Sequence, residues 1–346
     1  MRIVVFGAGG CVGGWICEEL SRRAEIEQVG CVHRWASAVR LARRGIEVRK
    51  IGLEDVEDLP GILTGADVVV NAAMPPAARE AELVTGLYAA ASKAGAGRFI
   101  QFSSAAVYGN RTGEVDESAA LTPVGAYSCG KAEMERRLTQ AAAASPGTRV
   151  FILRPSIIYG PFSEGWTVRY VSRIVRGRWR TLGPIGEGTC NLIHARDVAR
   201  AVIAAATAEV APGVHVLNLN GEERVSWNDY IEQLGEALGI RDRVTPNPWV
   251  FRAMAMAANV MRTGGSLQFV RSLYRRSAGA AKAAMMNAQA VTNLYPGKIE
   301  LELLGRKVHY SAARARQVLC LPPSVPLQEG LSQSATWCRR HGVVGV

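Results

Sequence analysis

Val4-Val5-Phe6-Gly7-Ala8-Gly9-Gly10-Cys11-Val12-Gly13 is an apolar strand running straight into a turn with a glycine at every third position. A helical pattern over residues 14–23 follows without a gap. Residues lacking a Cβ let such a turn approach a pyrophosphate closely. The first amides of the helix, at the positive end of its dipole, then face the phosphates. Gly7, Gly10, Cys11, Val12 and Gly13 are therefore candidate contacts to a dinucleotide.

Outward from this turn, short β-rich apolar runs alternate with longer helical patterns. Strands are expected at residues 3–6, 28–33, 46–51, 68–72, 99–102 and 150–153, and helices at 14–23, 37–44, 77–94 and 127–144. The alternation predicts an α/β fold with a doubly wound parallel sheet. Almost wholly apolar strands such as Val68-Val69-Val70 suit a sheet covered on both faces. Beyond Pro155 the pattern loosens: helices are expected at 168–176 and 195–206, a strand at 214–219, a helix capped by Ser226 and running to 238, and a last helix near 331–340.

The end of the second strand distinguishes the two nicotinamide dinucleotides. An acid there binds the ribose 2′-hydroxyl of NAD, and an arginine accommodates the 2′-phosphate of NADP. This strand ends Cys31-Val32-His33-Arg34-Trp35, with no acid. Arg34 is suited to a phosphate and His33 to the adenine end, so NADP is expected, with NAD the alternative.

A second constellation lies further on. Phe102-Ser103-Ser104 ends the fifth strand, and Tyr127-Ser128-Cys129-Gly130-Lys131 places a phenol and an ammonium on one helix face, one turn apart. A phenol ionises near pH ~10. A neighbouring ammonium and a cationic nicotinamide both favour its anion. Tyr127 can then exchange a proton with a substrate oxygen that Ser104 holds, while Lys131 reaches the nicotinamide ribose.

Taken in order, these motifs resemble the extended short-chain dehydrogenase/reductases of the epimerase/dehydratase group. Further matches are Asn71-Ala72-Ala73, Ser103 to Gly109, Arg154-Pro155-Ser156-Ile157-Ile158-Tyr159-Gly160-Pro161, and Ile193-His194-Ala195-Arg196-Asp197-Val198-Ala199. The resemblance covers roughly residues 1–240. It implies a Rossmann-type domain over residues 1–160, with return segments from about 190–220, and a smaller, mainly substrate-binding domain over 161–346. It also implies Ser104, Tyr127 and Lys131 as the catalytic set, cofactor contacts at Ala72, Ala73, Met74, Pro155 and Ile157, and a homodimer. Tyr159, Trp166, Arg178 and Arg180 are candidate substrate contacts.

Two departures bear on the reaction. The group's 4,6-dehydratases carry Thr-Asp-Glu where this chain has Ser104, Ala105 and Ala106, so the acids for water elimination are missing. Its sugar-nucleotide enzymes tend to carry a diphosphate-binding arginine where Cys190 stands here, which leaves Arg178 or Arg180 to serve. His194 reads as a packing or hydrogen-bonding residue. Three readings stay open: hydride transfer or epimerisation on a sugar or nucleotide-sugar; a reductase or dehydrogenase of a lipid-like or lipid-linked substrate at a membrane; and a non-catalytic dinucleotide sensor. The last fits less well because both Tyr127 and Lys131 are kept.

Composition sets the bounds. Of 346 residues 48% are hydrophobic and 21% charged, as in ordinary globular chains. No apolar run reaches the ~20 residues of a membrane-spanning helix, and the first residues lack the apolar stretch of a secretory signal. Seven cysteines without a C-x-x-C pair suggest reduced thiols in a cytoplasmic setting, and no His/Cys cluster suggests a metal. The net charge of +11 is confined to residues 241–346, which hold fifteen Lys/Arg against four Asp/Glu, and no acid lies between Asp242 and Glu300. Nucleic acid is not an expected partner. Segment 248–290, with Trp249, Phe251, Met254, Met256, Phe269 and Tyr274 among arginines, is expected either to lie on an anionic membrane, at the inner face, or to form a lid over the substrate.

Overall fold

The computed structural model of the protein describes residues 1–145, 147–264 and 294–344. Its elements in chain order are β1 (Arg2–Phe6), α1 (Cys11–Leu20), β2 (Glu27–Val32), α2 (Val39–Ala42), β3 (Val48–Lys50), α3 (Leu59–Leu63), β4 (Val68–Asn71) and α4 (Ala77–Lys93). There follow β5 (Arg98–Phe102), β6 (Gly113–Val115), α5 (Ala126–Ala144), β7 (Arg149–Pro155), β8 (Ile157–Tyr159), α6 (Arg169–Gly177), β9 (Thr189–Cys190) and β10 (Leu192–His194). Then come α7 (Ala195–Thr207), β11 (Val214–Leu219), β12 (Val225–Ser226), α8 (Trp227–Ala237) and α9 (Pro248–Gly264), with later helices at Lys298–Gly305, Ala313–Leu319 and Leu327–Arg340.

Seven strands make one parallel sheet in the order β11-β7-β5-β4-β1-β2-β3. Alternation along each strand supplies both faces. Ile3, Val5, Val68 and Val70 point to one side, where Ile16 and Leu20 of α1 and Val198 and Val202 of α7 cover them. Val4, Phe6 and Val69 point to the other, against Leu59 and Leu63 of α3, Val84 and Leu87 of α4, and Met134 and Leu138 of α5. Each such Val or Leu contributes roughly 1.5–3 kcal/mol by leaving water, so this double burial is what holds the short strands in place. The strand order reverses between β1 and β4, and open α/β sheets bind ligands beyond the strand ends at such a point.

The chain divides into two compact units. One comprises Met1–Ser163, Asn191–Glu223 and His309–Pro326; the other comprises Glu164–Cys190, Arg224–Val308 and Leu327–Val346. The second return to the first unit, His309–Pro326, was not expected from the sequence. It brings Ala315 and Leu319 into the same apolar core as Ile3 and Val5.

Within the second unit, β9 and β12 pair antiparallel. Ser226 begins α8 with a reciprocal cap: its hydroxyl accepts from the Asp229 amide at 3.1 Å, and Asp229 accepts from the Ser226 amide at 2.7 Å. Tyr170 stacks on Trp227, and Arg173 is buried in an ion pair with Glu300.

Several expectations are corrected. Residues 37–44 form a 3₁₀ turn, Trp35–Ala38, and the single turn α2, ended by Gly45 at φ +67°. The expected strand 46–51 shortens to β3, an edge strand whose Arg49 and Lys50 are exposed. A π-helical turn, Glu164–Val168, precedes α6. Of segment 248–290, residues 265–290 lie outside the described residues. On α9, Phe251 is not on the outward face but 1% exposed, packed against Trp179 and Tyr295. Trp249, Val250, Met254 and Met256 are exposed. Among the described residues no helix is long and apolar enough to cross a membrane.

Candidate active site

The glycine turn lies at the reversal point of the sheet. Gly7 has φ +75°, and a Cβ there would stand 2.4 Å from the Ala73 amide nitrogen. Only glycine lets the turn after β1 touch the chain leaving β4. A Cβ on Gly13 would lie 2.2 Å from the Gly7 carbonyl oxygen, so the start of α1 is pressed onto the turn itself. Gly10 donates its amide to Gly7 O at 3.0 Å and ends the turn. No side chain caps α1, so its first turn, Cys11 to Gly13, is a candidate cradle for an anion. These residues fit a dinucleotide diphosphate.

At the end of β2, exposed His33 places Nδ1 3.0 Å from Glu54 Oε1. Arg34 is exposed, and its guanidinium has no hydrogen-bond or ionic partner among the described residues. Met74 is exposed beyond β4.

From Ala73 a buried chain of polar contacts crosses the sheet. The Ala73 amide donates to Asn71 Oδ1 at 3.1 Å, and Asn71 Nδ2 donates to Gln101 Oε1 at 2.8 Å. Gln101 Nε2 donates to Phe102 O at 2.8 Å, and Lys131 Nζ donates to that same carbonyl at 3.0 Å. Asn71 and Gln101 are wholly buried, so these bonds are the means by which their amides escape a desolvation penalty.

Tyr127 and Lys131 lie on the first turns of α5, with Nζ 5.9 Å from the centre of the phenol ring. Their environments differ sharply. Tyr127 is 46% exposed, whereas Lys131 is 3% exposed and bonded at 2.6 Å to Glu80 Oε1 of α4. Two of the three ammonium protons are thus committed, to Glu80 and Phe102 O, and one remains. The approach of the helices is set at Gly130, where a Cβ would meet Ala77 Cβ at 2.9 Å. Half-buried Ser104 caps the short 3₁₀ turn after β5, its hydroxyl accepting from Ala106 N at 3.1 Å and keeping its proton to donate.

Pro155 ends β7 in the interior, and Ile157 is buried in β8. Behind them Arg154 is held by both oxygens of buried Glu135, at 2.9 and 2.5 Å, and by the Tyr108 hydroxyl at 2.8 Å.

The four substrate candidates scatter. Tyr159 is buried, edge-on to His194 at 5.2 Å, which makes it a core residue of the first unit. Trp166, Arg178 and Arg180 belong to the second unit. Trp166 packs on Tyr170 and Trp227. Arg178 pairs with Asp242, and Arg180 Nε is 3.0 Å from Glu232. Each arginine would have to leave a carboxylate to bind a phosphate. Cys190 is buried, and desolvation, with the charge of Asp229 adding to it, pushes its thiol well above the ordinary range. His194 caps α7, accepting the Arg196 amide on Nδ1 at 3.2 Å. Burial, with Arg196 and Arg200 nearby, lowers its pKa to about 4, so it is neutral at pH 7.

Sequence reading missed Glu80. The signal was present: Glu80 precedes Val84 by four residues and Leu87 by seven, so it falls on the apolar stripe of α4.

The profile of the NAD dependent epimerase/dehydratase family matches residues 3–219. The chain belongs to this family. It is an enzyme fold of the extended short-chain dehydrogenase/reductase type, as the motifs implied. The curated protein y4nL of Sinorhizobium fredii (strain NBRC 101917 / NGR234) is similar at 22% identity, over 98% of this chain and 96% of that one. Among solved structures, a UDP-glucuronic acid 4-epimerase from Bacillus cereus in complex with NAD superposes with a TM-score of 0.73 at 17% identity, covering 99% of both chains. A UDP-glucose 4-epimerase with UDP-glucose from Thermotoga maritima gives 0.74 at 20% identity, again over 99% of both. At these identities the structures bear on the fold alone.

Proposed function

We propose that the protein is a nicotinamide-dinucleotide-dependent oxidoreductase or epimerase that moves hydride at a carbinol or ketone carbon of a sugar or nucleotide-linked sugar. The observation that carries this reading is the pairing of an exposed phenol, Tyr127, with a buried, oriented ammonium, Lys131, in the unit that holds the glycine cradle. Ser104 adds a free hydroxyl proton in that unit. The nucleotide-sugar part is supported by the 4-epimerases among the structural relatives.

The cradle at Gly7, Gly10 and Gly13 holds the diphosphate, and Arg34 takes the 2′-phosphate, which makes NADP the proposed cofactor and NAD the competitor. The dinucleotide, when bound, supplies the hydride acceptor and donor. Ser104 donates a hydrogen bond to the substrate oxygen and orients it. Tyr127 removes the proton of a carbinol, or returns one to a ketone oxygen. Lys131 offers its remaining N–H to the ribose.

Tyr127→Phe tests this. Turnover of the protein's substrate should fall by about 10²–10⁴ while dinucleotide binding stays near wild type, because only the transferable proton is lost. Activity within tenfold of wild type removes the mechanism. A tightly held, non-exchanging dinucleotide on the purified protein favours epimerisation, and a readily exchanged one favours net redox.

Contact with an anionic membrane is a second reading, favoured by α9. Trp249, Val250 and Met256 are exposed beside exposed Arg252, in a stretch where eight Lys/Arg occur between Asp242 and Glu300 without an acid. Each cation close to such a surface contributes on the order of 1 kcal/mol. Co-sedimentation with phosphatidylserine vesicles at low salt is expected, and its absence for folded protein removes this reading.

A further inference from the structure

We propose that Glu80 is a positioning residue that sets both the place and the effective charge of Lys131, and thereby the pH at which Tyr127 gives up its proton. The proposal rests on the functional reading above. Lys131 is closed in by α4: the contact of Gly130 with Ala77 brings the first turn of that helix against α5, and Glu80 reaches Nζ at 2.6 Å. Glu80 is 1% exposed, so water screens the pair little. An ammonium bonded to a carboxylate acts on the neighbouring phenol as a dipole rather than as a full positive charge. Glu80 thereby weakens the hold of the ammonium on the phenolate and keeps Tyr127 able both to take a proton and to return it.

Among the described residues, the other charged and titratable groups near the pair on α4, α5 and β7 have contacts of their own. Glu135, one turn along α5, is held by Arg154 of β7, and Arg154 also binds the Tyr108 hydroxyl. Arg79 and Glu82, on the outer side of α4, lie 3.8 Å apart and exposed. Cys129 turns its thiol to the Pro123 carbonyl at 3.9 Å. Glu80 is the carboxylate bonded to the lysine.

The test is Glu80→Gln in the full chain, which keeps the shape and removes the charge. Tyr127 ionisation is read as the phenolate absorbance difference between each protein and its Tyr127→Phe counterpart. Glu80→Gln should move the midpoint to lower pH by about one unit, as expected for uncovering a cation within several ångströms. The basic limb of the pH–rate profile should move with it. Glu80→Asn repeats the test with a smaller neutral side chain should Glu80→Gln fold poorly. In a Lys131→Gln background, where no ammonium is left to cover, loss of Glu80 should leave the midpoint unchanged. An unchanged midpoint with Lys131 present, or an equal shift without it, overturns the proposal. The absorbance readout is independent of turnover, so full activity in Tyr127→Phe would end the functional reading without deciding the role of Glu80.

Discussion

Arg34 is the side chain on which the proposed preference for NADP rests. Its guanidinium is exposed and unpaired among the described residues, so nothing in the first unit competes for it. Arg34→Ala should weaken NADPH binding by tenfold or more and leave NADH nearly unchanged, since only the former carries the 2′-phosphate. Titrating both dinucleotides against both proteins decides it. A wild-type preference for NADH would assign the end of β2 to the pair His33–Glu54 instead. Some residues were legible from sequence because their chemistry is local. A glycine every third position and a tyrosine one turn from a lysine need no knowledge of the fold. Glu80 was hidden because its partner is 51 positions away, and only the packing of two helices brings them together.

At the scale of elements, legibility followed burial. Strands β1, β4, β5 and β7 read clearly because a sheet covered on both faces demands continuous apolar runs. Strands β8, β9, β10 and β12, two or three residues each, carry too few side chains for any period to show. Helix α7 adds a pH dependence through its cap. Burial holds His194 at about 4, against an ordinary 6.5. Between these values the unfolded chain takes up a proton that the folded chain refuses. The stability is complete above pH 6.5 and declines as pH falls through the window, by up to about 1.4 kcal/mol per unit from this group. Asparagine is also a good N-cap. His194→Asn should therefore lose less stability than wild type between pH 7 and pH 5, as measured by urea unfolding at each pH. Equal losses would show that the cap does not titrate in this way.

For the whole molecule, the family name covers both epimerases and dehydratases, and Ala105 and Ala106 argue against the second. Ala105 is buried and Ala106 half-buried in the turn after Ser104, and neither can move a proton. No 4-keto-6-deoxy sugar should form from any nucleoside-diphosphate hexose, by product analysis with either dinucleotide. Appearance of that product would place an acid–base pair elsewhere in the protein. The sequence also concealed how the first unit is assembled, because nothing local marks His309–Pro326 as returning to it.

That return has a bearing on biosynthesis. The core around Ile3 and Val5 is completed by Ala315 and Leu319, while the edge strand β11 ends at Leu219. A nascent chain made at ~5–20 residues per second therefore presents the finished sheet for on the order of ten seconds before its last apolar side chains emerge. Throughout that interval the surface that Ala315 and Leu319 later cover faces solvent. Any factor that shelters nascent chains would find its target on this part of the first unit, and release from it would follow the synthesis of residues near 326 rather than of residues near 219.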